Sequence, residues 1–153
     1  MSDLQCAVTV LVADVGVEQA RTRAAGVADR RVASVWCGAD DDAVRAAQLT
    51  AAALGVRVSV RAGLGRAGCD DDHHHDIVTR FGAVLEEVAD THRGETALLV
   101  THRPLMAMVL PAVATNLRAD HALGDVMPAG AVVELAGDAD GWVCRSWAGH
   151  RFG

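Results

Sequence analysis

Hydrophobic positions along this chain alternate between short continuous runs and longer stretches of helical spacing, the pattern of an α/β domain. Ala7 to Val12 is β-branched and nearly unbroken, as expected of a strand covered on both faces. From Gly16 the spacing changes: Val17, Ala20, Ala24 and Val27 recur at three and four, which predicts a helix to about Ala28. Asp29 to Arg31 makes a polar connection to a second buried strand, Val32 to Cys37. Asp40 to Asp42 place negative charge at a helix start, where the dipole favours it, and Gly55 closes that helix as a C′ glycine. Val56 to Val60, broken by Arg57 and Ser59, reads as an edge strand, and Arg61 to Asp76 as loop. Ile77, Phe81, Val84, Leu85 and Val88 form one helical stripe. A turn at His92 to Gly94 leads into Thr96 to Thr101, the clearest strand of the chain. Pro104 suits a first helical turn, and Leu105 to Ala114 continues as a largely apolar helix. Strands Ala131 to Ala136 and Trp142 to Trp147 flank a hairpin loop, Gly137 to Gly141. The fold class is therefore α/β: a three-layer α/β/α sandwich with a mostly parallel sheet of about six strands. No repeat or linker divides residues 1–153, so one domain is expected.

Composition narrows the class further. With 153 residues and 51% hydrophobic content, the chain can bury a core without metal or disulfide support. Its net charge of −6 argues against a duplex nucleic acid partner, which needs many cationic contacts to phosphates. All basic side chains are Arg, with no Lys, which reads as genomic codon bias rather than function. His102, Arg103 and Pro104 interrupt the best apolar run, Ala97 to Leu117, and the start lacks a basic stretch before its apolar segment. A soluble, cytoplasmic protein is expected, with no membrane partner. The four cysteines, Cys6, Cys37, Cys69 and Cys144, form no Cys-x-x-Cys pair and read as reduced thiols.

Leu98 to Pro104 carries the strongest local signal for chemistry, a buried strand running straight into a helix with His102 at the junction. In open α/β sheets the ligand crevice lies beyond the carboxyl ends of the strands. A histidine there either lines that crevice or simply fills a strand-to-helix corner. The run Asp70-Asp71-Asp72-His73-His74-His75-Asp76 offers metal-ligand chemistry, with His73, His75 and Asp76 as the weak candidates. Adjacent residues of an extended chain point opposite ways, so a solvated loop with adventitious metal affinity is the plainer reading. A metal-binding or sensor module on residues 70–76 remains the rival function. Cys37, at a strand end near the same mouth, offers a replacement nucleophile, against which stands the commoner buried inert thiol.

Several segments in order resemble the histidine phosphatase superfamily, the phosphoglycerate mutase-like fold, over nearly the whole length. Gly16-Val17-Glu18-Gln19-Ala20 resembles the family's Gly-x-x-Gln-Ala helix start, and Arg45-Ala46-Ala47-Gln48 its Arg-Ala-x-Gln. Arg93-Gly94-Glu95-Thr96 to His102 is similar to the Gly-Glu-Thr strand that ends in the family's second catalytic histidine. Pro128 to Leu135 and Gly141-Trp142 resemble its closing hairpin. The resemblance implies phosphate-ester chemistry through a phosphohistidine, with two arginines and a second histidine neutralising the phosphate and an acid protonating the leaving group.

The departures are at the reacting centre. Where the family carries Arg-His-Gly after its first strand, this chain reads Ala13-Asp14-Val15-Gly16, and no histidine precedes His73. Leu64-Gly65-Arg66 stands where the family has Leu-x-Glu, and Arg103-Pro104 replaces the small residues after the second histidine. The expectation is a degenerate member without the nucleophile, binding a small anionic, phosphate-type ligand or a protein partner without hydrolysis. Arg45, Arg103 and Arg66 are its candidate ligand contacts. The alternative is an active enzyme, phosphomonoesterase or one of altered acid–base chemistry, with His102 as acid or base and Asp14 orienting it. No cofactor is implied. The apolar helix after His102 and the edge strands offer surfaces for a homodimer, though nothing specifies one.

Overall fold

Strand β1 (Val8–Asp14) lies at the centre of one sheet, with Val10 and Val12 on one face and Leu11 and Ala13 on the other. The computed structural model describes residues 8–14, 20–64, 74–114, 132–138, 141–147 and 150–151. Helix α1 (Ala20–Val27) and a 3-10 turn (Ala28–Arg30) lead to β2 (Val32–Cys37). Helix α2 (Asp41–Leu54) and β3 (Arg57–Val60) come after it, then a second 3-10 turn (Ala62–Leu64). Helix α3 (His74–Thr91), β4 (Thr96–Thr101) and α4 (Arg103–Val113) come next. The chain closes through β5 (Val132–Asp138), β6 (Gly141–Trp147) and β7 (His150–Arg151).

The sheet order is β3-β2-β4-β1-β5-β6-β7. Strands β3, β2, β4 and β1 run parallel, while β5, β6 and the two-residue β7 are added antiparallel. Six of the seven described strands are those the hydrophobic runs predict. The short β7 carries no apolar run and is missed for that reason.

Period-two alternation divides the core between two helical layers. Val10, Val12, Trp36, Ala97 and Leu99 pack with Phe81, Leu85 and Val88 of α3 and with Leu105, Met106 and Val109 of α4. Leu11, Ala13, Val35, Cys37, Leu98 and Val100 pack instead with Val27 of α1 and with Ala43, Ala46, Ala47 and Ala51 of α2. The fold is the expected three-layer α/β/α sandwich. Helix α2 is held by small residues, and the Thr50 hydroxyl donates to the Ala46 carbonyl at 2.8 Å. Gly55 ends it in the left-handed region at φ 73°, where its N–H reaches the Ala51 carbonyl.

One expectation is corrected. The Asp/His run is not loop throughout: α3 begins at His74, so His74, His75 and Asp76 form its first turn. Asp76 there complements the helix dipole, and the helix that carries the apolar stripe begins one turn before Ile77. Among the described residues no helix is long and apolar enough to cross a membrane.

Candidate functional site

Parallel register brings the carboxyl ends of three central strands together. Asp14 of β1 pairs with Thr101 of β4, and Cys37 of β2 pairs with Val100 of the same strand. The chain leaving β4 is therefore beside the chain leaving β2. His102 caps α4 in extended conformation (φ −89°, ψ 143°), its carbonyl accepting the first helical bond from the Met106 N–H at 3.0 Å. Its ring makes no capping bond and is turned elsewhere.

That ring is buried, with 2% of the residue exposed. Nε2 lies 3.0 Å from Asp40 Oδ2 and 4.0 Å from Asp42 Oδ1. Asp40 is the N-cap residue of α2, yet its side chain makes no capping bond, while Asp42 Oδ1 accepts from the Ala43 N–H at 2.8 Å. Since a carboxylate can only accept, Nε2 carries the proton of this contact. Nδ1 is buried and without a hydrogen-bond partner among the described residues. On the other side of the strand end, the Thr101 hydroxyl donates to the Leu64 carbonyl at 2.7 Å and fixes the 3-10 turn against β4.

Arg45 is exposed on α2, because the helix face toward the sheet is taken by Ala43, Ala46, Ala47 and Thr50. Asp14 ends β1 and Arg103 opens α4, and the side chains of both lie outside the described residues, as does all of Arg66. Of the metal candidates, His73 and the side chain of His75 are also outside them, while Asp76 is exposed. Among the described residues no group of three His, Cys, Asp or Glu side chains is arranged to hold a metal ion. Cys37 is fully buried, and burial pushes its thiol up to about 11, so it stays protonated and unreactive at neutral pH.

Asp40 is the partner that reading along the chain missed. Asp40 to Asp42 were legible as a helix start, and the adjacency of β2 and β4 is what turns that helix start toward His102. The spacing of the buried alanines, had it been laid on a helix, also places Arg45 off the packed face.

Chemically, the arrangement is an imidazole oriented by one carboxylate and flanked by another. It differs from a cationic phosphate pocket, in which guanidinium groups and a histidine face the dianion.

Comparison with known proteins gives the family. A model of the histidine phosphatase superfamily (branch 1) matches residues 65–149, a span that contains His102 and leaves the first three strands outside it. No curated protein sequence gives a significant match. Among solved structures, mycobacterial glucosyl-3-phosphoglycerate phosphatase is similar with a TM-score of 0.73 and 16% identity, over 93% of this chain and 99% of that one. A phosphoserine phosphatase mutant from Entamoeba histolytica, in complex with phosphoserine, has a TM-score of 0.73 and 10% identity, over 92% and 96%. Phosphoglycerate mutase from Plasmodium falciparum has a TM-score of 0.67 and 11% identity, over 95% and 93%. At such identities the likeness is one of fold, and it is the phosphoglycerate mutase-like fold. With the family model spanning more than half of its length, the chain belongs to the histidine phosphatase superfamily.

Proposed function

We propose that this chain is a non-hydrolysing member of its superfamily, one that binds a partner or ligand at the carboxyl edge of the sheet without turning it over. The observation that carries the reading is the company His102 keeps. Its described polar contacts are carboxylates, Asp40 at 3.0 Å and Asp42 at 4.0 Å, and Arg45 is exposed on the neighbouring helix. The sequence supports the same reading, because Ala13-Asp14-Val15-Gly16 stands where an Arg-His-Gly nucleophile is needed and no histidine occurs before His73.

Electrostatics sets the direction. A phosphate oxygen about 4 Å from a carboxylate is repelled by about 1 kcal/mol in water and about 4 kcal/mol at the effective dielectric of a protein surface. Among the described residues His102 has no guanidinium hydrogen-bond or ion-pair partner that would offset this. Of the two occupants expected from the sequence, a small phosphate-type anion or a protein partner, the acidic surroundings favour the protein partner.

One observation favours a second reading, that of an active enzyme with altered chemistry. A carboxylate on Nε2 with an unpartnered Nδ1 is the arrangement that, in a neutral ring, serves as an oriented general base. Asp40 would then hold the orienting role expected of Asp14.

A panel of phosphomonoesters, including p-nitrophenyl phosphate and 3-phosphoglycerate, separates the readings. The proposal expects no turnover above a protein-free blank and no effect of His102→Ala. Hydrolysis that disappears in His102→Ala ends it. Orthovanadate and phosphate titrations complete the test, with no saturable binding expected of either.

A further inference from the structure

At the opposite, amino edge of the sheet lies a buried polar relay. Ser34 and Trp36 point from β2 to the same face, and His92 reaches them from the turn between α3 and β4. The Ser34 hydroxyl is 2.8 Å from His92 Nε2, and the Trp36 indole nitrogen is 2.8 Å from the same hydroxyl and 3.3 Å from Nε2. His92 Nδ1 is 3.2 Å from Glu95 Oε1.

Hydrogen-bond chemistry fixes the direction of every link. An indole N–H can only donate and a carboxylate can only accept. With Trp36 pointing its N–H at both Ser34 Oγ and Nε2, Nε2 must carry a lone pair. Ser34 then donates its own proton to Nε2, and Nδ1–H donates to Glu95. Neutral His92 with its proton on Nδ1 leaves no member of the relay unsatisfied.

A serine, a histidine and an acid in this order suggest a nucleophile, but Trp36 donates to the oxygen that would have to attack. Both Ser34 and His92 are 8% exposed. What the relay does respond to is a proton. Protonated His92 must donate from Nε2 as well, and Ser34 would then accept from His92 and from Trp36 while its own hydroxyl proton loses its acceptor.

We propose that Ser34, Trp36, His92 and Glu95 form a proton-sensitive latch, closed while His92 is neutral and loosened when it gains a second ring proton. The latch joins the start of β2 to the turn that feeds β4, two neighbouring strands of the sheet. Charged groups surround it unevenly. Glu95 faces Nδ1 and favours the charged ring. Arg93, on the same turn, is engaged with Asp90 at 3.3 Å. The Arg61 guanidinium lies 4.8 Å from the centre of a Trp36 ring and is held by Glu87 of α3.

Nitrogen-15 NMR of the full chain tests this directly. On the alkaline side of the His92 step, its Nδ1 should read as protonated and Nε2 as a bare acceptor. The Trp36 indole N–H resonance, assigned through Trp36→Phe, should move with the same midpoint. Glu95→Gln should shift that midpoint to lower pH. Amide exchange over residues 92–96, measured relative to His92→Gln, should quicken about five- to tenfold on the acid side, the ratio expected for one lost buried hydrogen bond. A neutral His92 protonated on Nε2 overturns the proposal, as does a Trp36 resonance that stays still while His92 titrates. Both readouts are recorded on the unaltered protein, and Trp36→Phe serves only to assign the indole resonance.

Discussion

Asp40→Asn isolates the contact between His102 and the start of α2. Asn and Asp are about equal as N-cap residues, and the Asp40 side chain makes no capping bond here, so helix initiation is preserved. The amide oxygen can still accept from Nε2 at the same 3.0 Å position, but without charge. A hydrogen bond to a charged group contributes about 1.5–3 kcal/mol and a neutral one about 0.5–1.5 kcal/mol, so the substitution should cost about 1 kcal/mol. Because 30% of the Asp40 side chain is exposed, screening keeps the loss near that figure rather than above it. For a chain of this size, about 1 kcal/mol lowers Tm by about 2–4 °C. With a urea m-value of about 1–3 kcal/mol/M, the midpoint falls by about 0.3–1 M. Asp42→Asn is the control. Its carboxylate is 4.0 Å from Nε2 and half-exposed, and an amide oxygen can keep its bond to the Ala43 N–H. Urea unfolding followed by far-UV circular dichroism, with the slope checked to be constant, measures both. Equal losses for the two variants, or an Asp40→Asn protein as stable as its parent, would refute the assignment of Asp40 as the partner of His102.

Other substitutions probe the rest of the fold. A Cβ added at Gly137 would sit 2.6–2.8 Å from three ring atoms of Trp142, its cross-strand neighbour, so Gly137→Ala should lose about 1–3 kcal/mol in thermal or urea unfolding; wild-type stability would mean that the ring does not cover that glycine. Cys37 should resist iodoacetamide at pH 7.5 in the folded protein and label quickly in urea. Because its folded value is pushed up to about 11, its contribution to stability is full at neutral pH and declines as pH rises through the range in which an unfolded thiol ionises, about 8.5 and upward. A Cys37→Ala protein should lack that alkaline decline. Glu87, held below the usual carboxylate range by its hydrogen bonds to Arg61, contributes stability above the unfolded range, and this is lost as pH falls through its lowered folded value. Both side chains are more than a third exposed, so Glu87→Gln should change unfolding free energy by less than about 0.5 kcal/mol, measured at pH 7 and again at pH 3.

Legibility differed between fold and site. The runs Val32 to Cys37 and Thr96 to Thr101 matched their strands residue for residue, because a strand buried on both faces admits almost nothing but apolar side chains. The helix over Asp41 to Leu54 was equally plain, with acids at its start and Gly55 at its end. Arg45 was harder. Its match to a family pattern pointed inward, whereas the alanine spacing on the same helix points it to solvent, and packing against the sheet decides between them.

Local periodicity and end signals are properties of neighbours in the chain, and these the residues declared unaided: α/β layering, most element bounds, and His102 at a strand-to-helix junction. Which side chains meet across the fold is another matter. Asp40 and His102 are 62 residues apart, and Ser34 and His92 are 58 apart. Each encounter exists because β2 and β4, distant in the chain, lie side by side in parallel register, so that their ends and the helices and turns attached to them converge. Hydrogen-bond partners depend on that placement, and no spacing along a single segment encodes it.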